Sequence, residues 1–301
     1  MRATQTTTYR SLQSFLDRTS DTLANLQLQA ATGKRVNRPS DDPTAISPIL
    51  SAKTQIQTSD RYIETIETGL DRIDNMDGYL DGIENTLVRL KEIAITTVNG
   101  SLNDQDMLTY AEEVAQLRES LIDSGNAQID GKYLFSGFSE KTVPFEPADP
   151  TLPVSSANPI VYVGDSGSVE FEIAPNELIE VNLTGDDLMF GSVDIFALVT
   201  TLEEELRANN QSGVQALINP LEDAANQIRS QRSLKGNVGR RLETALDHME
   251  EIKIDMEAYR SRFEDADILE TITAMAQQEQ SFEAALNVTG KVSALSILDY
   301  L

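Results

Sequence analysis

The sequence predicts a mainly α chain: a long antiparallel helical bundle or coiled-coil rod formed by the N- and C-terminal segments, with a small β-rich domain inserted in the middle. Three observations carry this. Apolar residues recur in alternating steps of three and four near both ends, the period of one helix face. Pro144, Pro147, Pro150, Pro153 and Pro159 forbid regular helix in between. A chain that begins and ends helical buries its apolar stripes most simply by pairing its ends antiparallel, with the middle as an excursion. The expected boundaries are 1–42 for an N-terminal assembly helix and turn, 43–138 for the first part of the rod, and 139–193 for the β-rich outer insertion. The second part of the rod takes 194–270, and a C-terminal assembly helix takes 271–301.

The first helix is carried by Tyr9, Leu12, Leu16, Thr19, Leu23, Leu26 and Ala30. Gly33 follows where a left-handed C-cap residue is wanted, because it has no Cβ to clash. Lys34 and Arg35 come next and suit the partial negative charge of that helix end. Asn37 and Arg38 lead into Pro39-Ser-Asp-Asp-Pro43, which reads as a restart. A carboxylate at Asp41 or Asp42 accepts from the free amides of the new helix, and Pro43 fits its first turn, where no donor is needed.

Residues 48–98 read as one long helix with Ile66, Leu70, Ile73, Met76, Leu80, Ile83, Leu87, Leu90 and Ala94 on one face. Pro48 implies either a start with Ser47 as cap or a kink. Asn103 or Asp104 caps the next helix, which closes near Gly125. Asp130-Gly131 is a turn, followed by an aromatic cluster from Tyr133 to Phe138. In the insertion, Pro159–Val163 and Ser168–Ile173 flank Gly164-Asp-Ser-Gly167 and read as a hairpin, with Leu178–Leu183 as a further strand. Helix resumes at Asp194. A second long helix runs from Ile228 to Phe263 through Gly236 and Gly239, and a final one holds Ile268, Ile272, Met275, Phe282, Leu286 and Leu295.

Composition narrows the function. The chain has 301 residues and a net charge of −25, from 24 Lys+Arg against 49 Asp+Glu. Residues 1–60 carry +2, so the remainder carries −27. Such a body repels nucleic acid and anionic lipid, and neither is expected as a partner. No apolar run is long enough to span a bilayer, and no apolar leader follows Met1-Arg2. The chain has no cysteine. Its one histidine, His248, sits among acidic residues and reads as a solvated helix residue. Zinc and triad chemistry therefore lack their residues, and no catalytic group, cofactor or metal site is expected.

Three motifs bear a resemblance. Leu26-Gln-Leu-Gln-Ala-Ala-Thr-Gly-Lys-Arg-Val-Asn-Arg-Pro-Ser-Asp-Asp-Pro43 resembles the N-terminal signature of the bacterial flagellin superfamily, in the version found at the junction of hook and filament. Gly131-Lys-Tyr-Leu-Phe-Ser-Gly137 resembles that group's end-of-rod motif. Its tail is similar to Phe263–Glu270, Glu283-Ala-Ala-Leu286 and Leu295-Ser-Ile-Leu-Asp-Tyr-Leu301. The resemblance implies a non-enzymatic extracellular part of the flagellum, exported through the flagellar type III channel with a dedicated chaperone. It implies copies of the chain in a ring, between the first hook-associated protein on the hook side and flagellin on the filament side. The expected assembly interface comprises Leu12, Leu16, Leu23, Leu26, Ile272, Phe282, Leu286, Leu295 and Leu298. The turn that orients it comprises Gly33, Arg35, Asn37, Asp41, Asp42 and Pro43. Filament flagellin proper and a monomeric anionic helical binding module or adhesin remain alternatives.

Overall fold

The computed structural model describes residues 2–100 and 102–298 and, within them, the side chains at 7, 10–100 and 102–291. Four long helices dominate: α1 (Arg2–Thr32), α2 (Pro43–Asn99), α6 (Gln211–Glu264) and α7 (Ile268–Leu298). Between α2 and α6 lie α3 (Asp104–Gly125), six short strands β1 to β6 between Gln128 and Glu180, α4 (Gly185–Met189) and α5 (Ile195–Arg207). The chain divides into two compact units, one of Met1–Asp60 with Glu251–Leu301 and one of Arg61–Glu250.

In the second unit the three-four pattern of α2 becomes a buried seam. Ile66, Met76, Leu80, Ile83, Leu87, Leu90 and Ala94 are fully enclosed. Ion pairs fasten it to α6 in descending order: Arg232 to Asp77 at 3.0 Å, Arg229 to Glu84 at 2.7 Å and Lys91 to Glu222 at 2.6 Å. That order makes the two helices antiparallel. Asn103 caps α3 in a capping box with Asp106. Part of the insertion shares the core of the surrounding helices. Phe145, Ile160, Leu183 and Leu188 belong to one apolar cluster with Leu90, Leu121, Phe196 and Leu202. The Phe145 ring sits 5.3 Å from that of Phe196 and 5.6 Å from that of Tyr162.

One expectation about this unit is corrected, and one choice left open in the first unit is decided. The first concerns the hairpin. Residues 160–162 pair with 145–147, in the register Phe145↔Tyr162, and 170–174 pair with 177–180. Gly164–Gly167 is therefore an anchor rather than a turn. The Asp165 carboxylate accepts from the amides of Phe138 at 2.9 Å and Gly167 at 2.8 Å and from the Ser139 hydroxyl at 2.7 Å. The actual hairpin turn is Pro175-Asn176, where proline fixes one φ and Asn176 adopts +63°. The second concerns the start of α2: of the two starts the sequence allows, Asp42-Pro43 and Ser47-Pro48, the chain uses the first, and α2 begins at Pro43. Pro48 lies inside it. The carbonyl that Pro48 leaves unpaired belongs to exposed Thr44, in the first turn, where water can satisfy it.

Candidate assembly surface

The turn after α1 is a clamp on the break between α6 and α7. Gly33, at φ +68°, reverses the chain, and its amide closes on the Gln29 carbonyl at 2.8 Å. The backbone then pairs across the sequence. The amides of Arg35 and Val36 donate to the Glu264 carbonyl at 2.7 and 3.2 Å, and the Ala266 amide donates to the Gly33 carbonyl at 2.9 Å. Lys34 and Arg35 therefore serve the end of α6 rather than the end of α1. The Arg35 guanidinium donates to the Phe263 carbonyl at 2.9 Å and to Asp42 at 3.0 Å. The electrostatics of a helix C-terminus apply, with the carbonyls supplied from 228 residues away.

Each remaining turn residue has a distinct task. The Asp41 carboxylate accepts from the amides of Asn37 at 3.0 Å and Arg38 at 2.8 Å, which folds the loop, and the Asn37 side chain donates to the Lys34 carbonyl at 2.8 Å. Asp42 caps α2, accepting from the amides of Thr44 at 3.1 Å and Ala45 at 3.2 Å, with Pro43 as first helical residue. Hydrogen bonds from the Thr44 hydroxyl and then the Arg35 guanidinium hold the Asp42 carboxyl down at about 2. Beneath the clamp Val36, Ala45 and Ile49 form a small core against Ile46 and Phe263.

Glu264 is the hub, and sequence reasoning did not single it out. Its side chain is 5% exposed and meets Lys34 at 2.8 Å, Lys53 at 2.9 Å and Arg260 at 3.3 Å. Burial by itself would push its carboxyl up, but the hydrogen bonds from Lys34 and Lys53 outweigh this and hold it below its ordinary value. The signal in the sequence was an acid directly after Phe263 at the end of an apolar helix face, with a Lys-Arg pair in the other terminal segment.

Beyond the clamp α1 packs along α7, antiparallel, with Thr19 beside Gln278 and Leu12 beside Ala285. Thr19, Thr271 and Ala285 are buried in this contact, whereas Leu12, Leu16, Leu23, Leu26 and Phe282 are half-buried. Apolar side chains remain in water on the same pair: Phe15 at 53%, Ile272 at 48%, Leu286 at 49% and Val288 at 51% exposure. Leu295 and Leu298 lie outside the residues whose side chains are described. Two helices cannot cover stripes on two faces, so this unit presents a wet apolar surface of the kind that marks association.

Comparison with known proteins identifies the architecture. The bacterial flagellin N-terminal helical region matches residues 4–140, and the flagellin C-terminal helical region matches residues 218–301. The chain belongs to the bacterial flagellin family. This family member is 25% identical to flagellar hook-associated protein 3 of Escherichia coli over 258 residues, covering 84% of this chain and 78% of that one. It is 24% identical to a flagellin of Halalkalibacterium halodurans over 240 residues, covering 79% and 76%. In fold it resembles hook-associated protein 3 of Legionella pneumophila, with a TM-score of 0.63 at 18% identity over 71% of this chain and 98% of that structure. Flagellin-family chains are structural parts of the flagellum, and the two matched regions contain both halves of the clamp. Among the described residues no helix is long and apolar enough to cross a membrane.

Proposed function

We propose that this flagellin-family chain is the non-catalytic subunit of the layer joining hook to filament, formed by copies of itself through the α1–α7 pair. The single observation that carries the reading is the uncovered apolar surface on that pair, between Phe15 and Val288, beside a turn that fixes its direction. In this reading Leu12, Leu16, Leu23, Leu26, Ile272, Phe282, Leu286, Leu295 and Leu298 face neighbouring copies or adjoining flagellar proteins. The first hook-associated protein lies on one side and flagellin on the other. Residues 1–42 and 271–301 are the assembly segments, and 139–193 face outward. A dedicated chaperone holds the chain before it leaves through the flagellar type III channel to its extracellular place.

Electron microscopy of cells lacking the gene tests this reading, with hooks devoid of filaments expected. Leu23→Asp with Leu26→Asp should reproduce that state, because a charge pressed into a packed interface costs several kcal/mol. Filaments attached normally in both strains would overturn it. The similarity to a flagellin, nearly equal to that to the hook-associated protein, favours filament subunit as the second reading. Unaided growth of long filaments from purified protein would establish that reading instead.

A further inference from the structure

The most exposed large apolar side chain among the described residues is Leu269, at 79%. It stands on the first turn of α7 next to Ile268, at 42%, and between exposed Asp265 and Glu270. A lone leucine at that exposure needs no explanation, but this one has a counterpart. A groove of about 430 Å³ opens at the clamp, with an apolar floor of Val36, Ile46 and Leu50 and a cationic rim of Lys34, Arg38 and Lys53. Glu264 is the one carboxylate that lines it, so the groove carries a net +2 within a chain of net −25. Leu50 is itself 59% exposed. An apolar knob with an acidic collar and an apolar hole with a basic rim sit on the same unit, and Leu269 does not line its own groove.

The geometry points to a knob-into-hole contact between copies: Leu269 of one copy enters the groove floored by Val36, Ile46 and Leu50 of the next. Asp265 and Glu270 then meet Lys34, Arg38 and Lys53. Knob and hole are different patches, so the contact is heterologous: it leaves a free knob at one end and a free hole at the other, and it closes into a ring or continues as a helix. Charge sets the register, because an acidic collar cannot seat on any carboxylate-rich part of this surface. The occupant is a second copy, and the inference rests on the reading of the chain as a self-associating subunit.

The cysteine-free chain makes the test direct. Leu269→Cys and Leu50→Cys are placed in separate full-length alleles and co-expressed in cells lacking the native gene. Purified hooks with their junctions are oxidised and run without reductant. A band of twice the chain mass that needs both alleles, and is absent with either alone, is expected. In an otherwise unaltered chain Leu269→Asp should lower the copies retained per hook about tenfold, since it removes an apolar anchor and adds charge. Junctions that form normally without the mixed band overturn the knob-into-hole contact while leaving the junction reading intact. A band joining Leu50→Cys to a different flagellar protein overturns it as well, by assigning the groove another occupant. Absence of the chain from hooks overturns both.

Discussion

Replacing Glu264 by Gln keeps the shape of the hub and removes its charge. In the wild type the carboxylate is 5% exposed, but its partners Lys34, Lys53 and Arg260 are 45%, 41% and 34% exposed, so they can rehydrate when it is neutralised. Each pair is therefore discounted towards the surface range of roughly 0.5–1 kcal/mol, and the three together give a loss of about 2 kcal/mol. The backbone hydrogen bonds from Arg35 and Val36 to the Glu264 carbonyl survive the substitution. The clamp is thus weakened, not abolished. Acidity supplies a second signature. The wild-type carboxyl is held below its ordinary value of 4.5, so its contribution is complete above that pH and is lost as pH falls through the lower folded value. The difference between wild type and Glu264→Gln should be full at neutral pH and shrink below about 4.5. Urea unfolding followed by near-ultraviolet dichroism reports this, because Tyr259 and Phe263 stack edge to face 5.1 Å apart beside the hub. Hydrogen exchange of the Arg35 and Val36 amides reports the clamp itself. Equal urea midpoints at neutral pH, or a difference that does not narrow on acidification, would refute the hub.

Gly33→Val should destabilise the first unit by about 1–2 kcal/mol through its dihedral alone, since no atom lies within 4 Å of the added Cβ; unchanged exchange at Arg35 would contradict this. Phe145→Ala should cost about 4 kcal/mol in thermal unfolding of the second unit, as a fully buried ring is lost from a four-ring cluster. A loss below about 1 kcal/mol would mean that the insertion contributes little to the shared core. Gly236→Ala should raise stability by about 0.5–1 kcal/mol, because it sits within α6 with open space around it. A lowered melting temperature would show that the glycine is needed there.

The helices were legible because their signal is local. The apolar period of α2 from Ile66 to Ala94 needs only the chain itself, and so does the Asp42-Pro43 start of α2. Two candidates for the α3 cap were equally good by residue type, and only geometry selects Asn103 over Asp104, through its reciprocal bonds with Asp106. The strands misled because their partners are not adjacent. Residues 160–162 look like half of a tight hairpin, yet their mate is reached across residues 148–159, and the Asp165 bonds that prevent the hairpin come from the 138–139 loop. The site divides the same way. Gly33, Asp41 and Asp42 announce a turn by local chemistry. Glu264 does not, because its role comes from Lys34 and Lys53, more than two hundred residues away. Periodicity located the α1 and α7 stripes but could not say which of their residues the two helices cover for each other.

The clamp has a consequence for the order of events during synthesis. Lys34 waits for a partner 230 residues downstream, and the unit holding both is built from Met1–Asp60 and Glu251–Leu301 only. Residues 61–250 have all the material of their own core before that partner is made. The loop to be closed is long, and contacts of such sequence separation form late. A chain cut within residues 61–250 retains α1 and the turn but lacks Glu264 and all of α7, so it cannot complete the first unit. The surface proposed to join copies therefore exists only in a chain that has been made to its far end. Under the proposed join, a product lacking the second terminal segment has only half of the surface that would hold it to its neighbours.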